Sequence, residues 1–246
     1  CDGAIMISAS HNDYADNGIK LFGRDGYKIA DEVEDEIEKL ITSGKVDDNP
    51  PTGTDIGIAR RIDDAVGRYI EFVKASFPKG MRLDGMKIVV DCSNGATYKA
   101  GPNTLRELGA KVIALGNDPD GMNINEGVGS VHPEEMRAMV IRERADLGIA
   151  FDGDGDRLVV VTNSGQIIWP DRLLMLFAKD ILARNPGADV IYDVKCTRSI
   201  NRVVTQFGGR PIMWKTGHAP MKAKITETGA LLGGEYSGHI FIKERW

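Results

Sequence analysis

Asp146-Leu147-Gly148-Ile149-Ala150-Phe151-Asp152-Gly153-Asp154-Gly155-Asp156-Arg157-Leu158-Val159-Val160-Val161-Thr162 is the run on which the fold is decided. Two short apolar segments, 146–151 and 158–162, flank a loop with a carboxylate at every second position. Apolar runs of this length bounded by turn residues are strands. The second strand continues through Asn163-Ser164-Gly165 into 166–168 as a hairpin. Moving outward, a strand over 87–90, a helix over 96–108, a strand over 111–114 and a helix over 133–144 come before it. After it come a helix over 170–184, strands over 190–194 and 211–214, helices over 199–207 and 220–228, and a run at 231–233 entering a loop at Glu235. This alternation predicts an α/β protein of consecutive doubly wound domains with parallel or mixed sheets. Such sheets bind ligands beyond the carboxyl ends of their strands.

The front of the chain reads as a strand over 4–8, a loop at Ser10-His11-Asn12, a second strand over 19–22 and a turn at Gly23–Gly26. An amphipathic helix follows Asp31, with Val33, Ile37, Leu40 and Ile41 on one stripe and an acidic first turn that suits the helix dipole. Gly, Pro, Asp and Thr then crowd together. We therefore divide the chain into 1–44, a linker over 45–60, a second domain over 61–168 that starts with a helix at 62–75, and a third over 169–246.

Net charge is −5 with both signs dispersed and no basic patch, which argues against nucleic acid. No apolar run approaches the ~20 residues of a membrane span, and no signal-peptide pattern is expected at the start. Cys1, Cys92 and Cys196 form no Cys-x-x-Cys pair, so neither a disulfide framework nor a zinc site is indicated, and a cytoplasmic setting is expected. The opening at Cys1 and the close at Trp246, directly after a strand-like run, lead us to expect a portion of a longer protein.

Asp152, Asp154 and Asp156 offer oxygen ligands suited to a hard cation, Mg²⁺ or Ca²⁺. An EF-hand loop is rejected, because its sixth and twelfth positions hold Arg157 and Asn163. An acidic surface turn is the plain alternative. Ser10, directly after a strand, has the position of a nucleophile, although Ser and Asn also favour caps and turns. No Gly-x-Ser-x-Gly elbow surrounds it. Lys20 is the nearest cation on that strand-loop-strand unit. In Gly233-Gly234-Glu235-Tyr236-Ser237-Gly238-His239, an extended loop would point Glu235 and Ser237 the same way, toward adjacent hydroxyls, while a tight strand connection is the alternative. Lys195, Lys215 and His218 would balance phosphate charge. His132 reads as a structural residue at a helix start, and Cys196 as inert despite its lysine neighbour.

Ser10-His11-Asn12, the Asp152–Arg157 loop and Gly234-Glu235-Tyr236-Ser237-Gly238-His239 together, in this order, resemble the α-D-phosphohexomutase family over nearly the whole chain. Residues 7–12, 16–20 and 90–96 resemble its phosphoglucosamine mutase branch. Residues 170–180 and 234–246 resemble the bacterial phosphomannomutase/phosphoglucomutase branch. The resemblance implies an isomerase that interconverts hexose or hexosamine 6-phosphate and 1-phosphate through a phosphoserine and a 1,6-bisphosphate. Ser10 would be that serine, ligating Mg²⁺ with Asp152, Asp154 and Asp156. His11, Lys20, Arg157 and His218 would be catalytic, and Lys195, Glu235, Ser237 and His239 would bind substrate. It also implies that the start of a first domain, the end of the third and a phosphate-binding fourth domain lie outside the chain. Asp13 stands where the family usually has proline, an added negative charge beside a phosphoserine. A metal-dependent phosphatase and a non-catalytic fragment that binds sugar phosphate and metal are the rival functions.

Overall fold

The computed structural model describes residues 1–45, 48, 50–243 and 245. By packing, the chain divides into two compact units, Cys1–Ser8 with Gly18–Ala65, and Ala9–Asn17 with Val66–Trp246. The serine-bearing stretch thus belongs by packing to the second unit, although the sequence reading grouped it with 1–44.

In the first unit β1 (Gly3–Ser8) pairs antiparallel with β2 (Gly18–Gly23), Ile7 opposite Ile19. Helix α1 (Asp31–Thr42) carries Asp31, Glu32 and Glu34 in its first turn, where the unpaired N–H groups favour negative charge. Lys28 ties this turn back to the strand pair through a 2.8 Å ion pair with Glu34. Within the expected linker, Val46, Asp47 and Asn49 lie outside the described residues, and Gly53–Asp55 forms a single 3-10 turn.

The second unit opens with α2 (Ala65–Ala75), three residues later than the periodicity suggests. It contains a five-stranded sheet in the order β4-β3-β5-β6-β7. The strands are β3 (Lys87–Asp91), β4 (Lys111–Leu115), β5 (Leu147–Phe151), β6 (Leu158–Thr162) and β7 (Ile167–Ile168). β4, β3 and β5 run parallel; β6 and β7 turn back antiparallel, with Phe151 opposite Leu158. Successive β3 residues face opposite sides. Val89 joins Met136 and Val140 of α4 (Glu134–Glu143), while Ile88, Val90 and Cys92 join the α3 (Thr97–Glu107) side with Tyr98 and Leu105. Gly148 is where α4 seats closest, since a Cβ there would stand 2.6 Å from Val140 Cγ2.

A four-stranded sheet of order β11-β10-β8-β9 completes the unit. It comprises β8 (Asp189–Asp193), β9 (Arg210–Trp214), β10 (Leu232–Gly234) and β11 (Ile240–Ile242). β8 is parallel to both neighbours and β11 is antiparallel to β10. Helices α5 (Pro170–Arg184) and α6 (Ser199–Gln206) cover one face with Leu174, Leu182, Ile200 and Val204, while α7 (His218–Thr228) covers the other with Met221. Helix α7 starts at His218 rather than at 220, because proline fits a first turn, where its missing N–H is no loss. Both sheets are mixed, each ending in an antiparallel turn-back.

Met136 is fully buried between α4 and the sheet. Met136→Ala is expected to destabilise the chain by about 2–5 kcal/mol in denaturant unfolding, the range for emptying such a core position.

Candidate active site

Phe151 ends β5 and Leu158 begins β6 as direct partners, so the acidic run between them is a short loop at the carboxyl end of a parallel strand. One carboxylate oxygen each from Asp152, Asp154 and Asp156 lies within 4.8 Å of the others. Asp152 is fully buried, Asp154 half-buried and Asp156 exposed. Asp152 Oδ1 accepts the Arg157 N–H at 3.1 Å, and Oδ2 lies 3.5 Å from Arg157 Nε yet receives no hydrogen bond. Burial, then the charges of Asp156 and Asp154, push the Asp152 carboxyl up to about 6. Three hard oxygens converging on one point, one of them buried without a donor, fit a divalent cation.

The two glycines of the loop serve different ends. Gly155 adopts φ +79°. At Gly153 a Cβ would stand 2.5 Å from the Ser10 carbonyl and 2.7 Å from Asn125 Nδ2. The serine loop therefore rests directly on the acidic loop. Asn125 donates through Nδ2 to the carbonyls of Ser10 (3.0 Å) and Asn12 (2.6 Å). Ser10, Ser93, Asn94 and Asn125 all have positive φ. The Ala96 N–H donates to Gly153 O, and the Ser93 hydroxyl to Phe151 O. Strained backbone thus clusters around the loop, as it does where geometry is fixed for function. Ser10 Oγ is 3.3 Å from His11 Nδ1. Partial burial and then the Arg157 charge hold His11 below its ordinary pKa. The Asp13 carboxylate is engaged as a cap, accepting the Ala15 N–H at 2.9 Å. Beside it an open cavity of about 620 Å³ is bordered by His11, Asp13, Tyr14, Asn125 and His132.

At the second sheet, the segment after β10 is a tight turn, with Glu235 N–H bonded to His239 O and Gly238 N–H to Glu235 O. Of the two readings left open for this segment, the tight strand connection is found rather than the extended loop that would point Glu235 and Ser237 the same way. The hydrogen-bonded turn instead brings both onto one ring. Glu235 Oε2 and Ser237 Oγ lie 2.7 and 3.2 Å from His239 Nδ1. His239 Nε2 lies 3.0 Å from Asp156 Oδ1. Burial opposes charge on His239, but Asp156 and Glu235 outweigh it and raise its pKa to about 9. Burial likewise disfavours the Glu235 carboxylate, yet His239 and the Gly217 N–H hold its pKa below the usual value. The His218 ring stands edge-on to His239 at 5.3 Å, and its packing and then the Lys222 charge lower its pKa.

The structure thus brings Ser10, His11, Asp152, Asp154, Asp156, Arg157, His218, Glu235, Ser237 and His239 into one continuous set of contacts. Lys195 is exposed on the loop after β8, and Lys20 stands on β2 in the first unit, opposite Met6. Sequence reasoning passed over Asn125, Asp91, Asp171 and Asp193, all buried. Asp91 and Asp193 carry one legible signal, an acid directly after the apolar run of a strand.

Three models of one family match the chain in order. They are phosphoglucomutase/phosphomannomutase alpha/beta/alpha domain I over residues 1–47, domain II over 67–165 and domain III over 169–246. The chain belongs to the phosphoglucomutase/phosphomannomutase family. Phosphoglucosamine mutases from Geotalea uraniireducens and Myxococcus xanthus are each 46% identical to it over 243 residues, taking in 98% of this chain and 54% and 53% of theirs. The chain therefore spans about half the length of the curated relatives it matches. A crystal structure of a phosphoglucomutase/phosphomannomutase family protein from Burkholderia thailandensis superposes with a TM-score of 0.83 at 40% identity, covering 100% of this chain and 52% of that one. Aspergillus fumigatus N-acetylphosphoglucosamine mutase, solved with GlcNAc-6P and magnesium, shares the fold at 19% identity and a TM-score of 0.68, over 98% of this chain and 61% of its own. Among the described residues no helix is long and apolar enough to cross a membrane.

Gly153→Ala is expected to cost about 1–3 kcal/mol by forcing the serine and acidic loops apart, measured by thermal or denaturant unfolding. A second expectation concerns thiols. Burial pushes Cys92 up to about 11 and raises Cys196 further, so both stay protonated at pH 8. A thiol reagent on the native chain should then label the exposed Cys1 and spare the other two, read by peptide mass spectrometry.

Proposed function

We propose that the chain carries the catalytic serine, metal loop and sugar loop of a phosphohexomutase, with a hexosamine phosphate as its substrate. The observation that carries this reading is the direct seating of the Ser10 loop on the Asp152–Asp156 loop, with no room for a side chain at Gly153. A merely acidic surface turn has no need of a strained serine loop held by a buried amide. The choice of a hexosamine is supported by the phosphoglucosamine mutases that align along nearly the whole chain.

Phospho-Ser10 donates its phosphoryl group to a free hydroxyl of the sugar phosphate, giving a 1,6-bisphosphate. The intermediate turns over, and its other phosphate returns to Ser10. Catalysis of this kind is mainly positioning and charge neutralisation. Asp152, Asp154 and Asp156, with the Ser10 phosphate, would hold Mg²⁺. When bound, the cation offsets charge on the transferring group. Arg157 supplies fixed positive charge. The hydroxyl proton needs an acceptor. His239 is charged near neutrality and held between two carboxylates. His218, with its lowered pKa, offers a neutral ring nitrogen and is the proposed base. Ser237, on the turn that Glu235 braces through His239 and the Gly217 N–H, would hold a sugar hydroxyl, and Lys195 the non-reacting phosphate. The unpaired cysteines suit a cytoplasmic setting.

The test is to incubate the chain with Mg²⁺ and glucosamine 1,6-bisphosphate and map phosphate by peptide mass spectrometry. Phosphate on Ser10 that vanishes in Asp154→Ala is the expected result. A folded chain with unmodified Ser10 would sink the proposal, and steady phosphate release without isomerisation would mark a phosphatase.

A further inference from the structure

Asp193 is the last residue of β8, the strand that lies between β9 and β10. Each of these strands sends a loop from its carboxyl end. The first carries Lys195, the second Lys215 and His218, the third Glu235, Ser237 and His239. The Asp193 carboxylate is fully buried and touches all three. Its Oδ1 accepts the Cys196 N–H at 3.1 Å and the Tyr236 N–H at 3.2 Å, and its Oδ2 accepts the Thr216 hydroxyl at 3.0 Å. A second tie joins two of the loops, since Glu235 Oε1 accepts the Gly217 N–H at 2.5 Å. No other described carboxylate is hydrogen-bonded to all three loops.

We infer that Asp193 is the positioning residue of the sugar-phosphate site, setting the spacing of Lys195, His218 and the Glu235–His239 turn through three hydrogen bonds. This rests on the mutase reading above. Buried among donors at the end of a central strand, it does not face solvent, so it acts through the loops rather than by touching substrate. A buried carboxylate is tolerated only when several donors satisfy it. Here each donor comes from a different loop, so the carboxylate draws all three together. Such preorganisation acts on ligand affinity, because loops that are already placed lose little freedom on binding. The metal loop lies at the end of the other sheet and makes none of these three bonds.

The inference predicts a split between two ligands. Affinities for glucosamine 6-phosphate and for Mg²⁺ would be measured by calorimetry on the chain and on two variants. Asp193→Ala removes all three bonds. Thr216→Val keeps the shape of one loop and removes one bond, so it remains informative if the first variant unfolds. Thr216→Val should weaken glucosamine 6-phosphate about tenfold, the scale of one hydrogen bond, and leave Mg²⁺ within about twofold. Sugar-phosphate affinity equal to that of the unchanged chain, or an equal loss for both ligands, would overturn the positioning role. An unchanged chain that bound no glucosamine 6-phosphate would overturn the mutase reading, and this role with it.

Discussion

Burying a carboxylate is costly, and this chain does so at the end of a central strand in each of its two large sheets. Asp91 ends β3 and accepts the N–H groups of Ser93 and Gly129. Asp193 ends β8 and accepts from Cys196, Tyr236 and Thr216. Both are fully buried. An unsatisfied group there would cost more than a typical side chain returns by packing. The loops that meet each carboxylate are therefore fixed in relation to one another. Gly129 leads toward α4, and its N–H can reach Asp91 only with φ +86° and no side chain, because a Cβ would collide with Ser93 Oγ. Around the first carboxylate stand the strained residues Ser93 and Asn94; around the second stand the segments bearing Lys195, His218 and Glu235. The loops that would carry the chemistry are thus braced by two buried carboxylates.

The two sheets meet through a shorter relay. Asp156 of the acidic loop and Glu235 of the second sheet hold opposite nitrogens of His239. The ring is kept charged by this arrangement, and Phe241 and His218 pack against it at 6.3 and 5.3 Å. Leu158 N–H also bonds to Gly238 O, and a Cβ at Gly238 would meet Arg157. The residue after the acidic loop and the Glu235–His239 turn are thus in backbone contact. Geometry set at one is transmitted to the other without an intervening flexible segment.

Most of the fold was legible because the apolar runs are short, regular and separated by clear turn residues. Strand β6 and helix α5 stand where periodicity put them, and other ends shifted by a few residues, as at α2 and α7. The antiparallel turn-back at β11 was less legible, since Ile240–Ile242 is too short to show a direction. The acidic loop was visible because its spacing is chemical as well as structural. Asn125 was not. Its role depends on meeting the carbonyls of residues more than a hundred positions away, and nothing in Asn123-Ile124-Asn125 distinguishes it from an ordinary turn. The Glu235–His239 turn stayed open between two readings for a related reason. Alternation says how side chains point in an extended strand, but Gly238 at φ +113° closes the segment on itself.

Charge balance explains why such a site is worth building at two strand ends at once. Asp152, Asp154, Asp156 and Glu235 bring four acidic groups, while Arg157 and His239 bring two positive ones. In a partly buried setting that excess is unfavourable, and it shows in the raised pKa of Asp152. A divalent cation at the three aspartates would supply the missing charge and leave the cluster neutral rather than anionic. Lys195 and Lys215 are exposed on neighbouring loops, where on the proposed reading they would meet a second phosphate. On the proposed reading, the division would suit a substrate that carries phosphate at either end of the sugar. One end needs a compact, fixed positive centre where bonds change. The other would need cations that hold without reacting, and lysine side chains on solvent-facing loops suit that need.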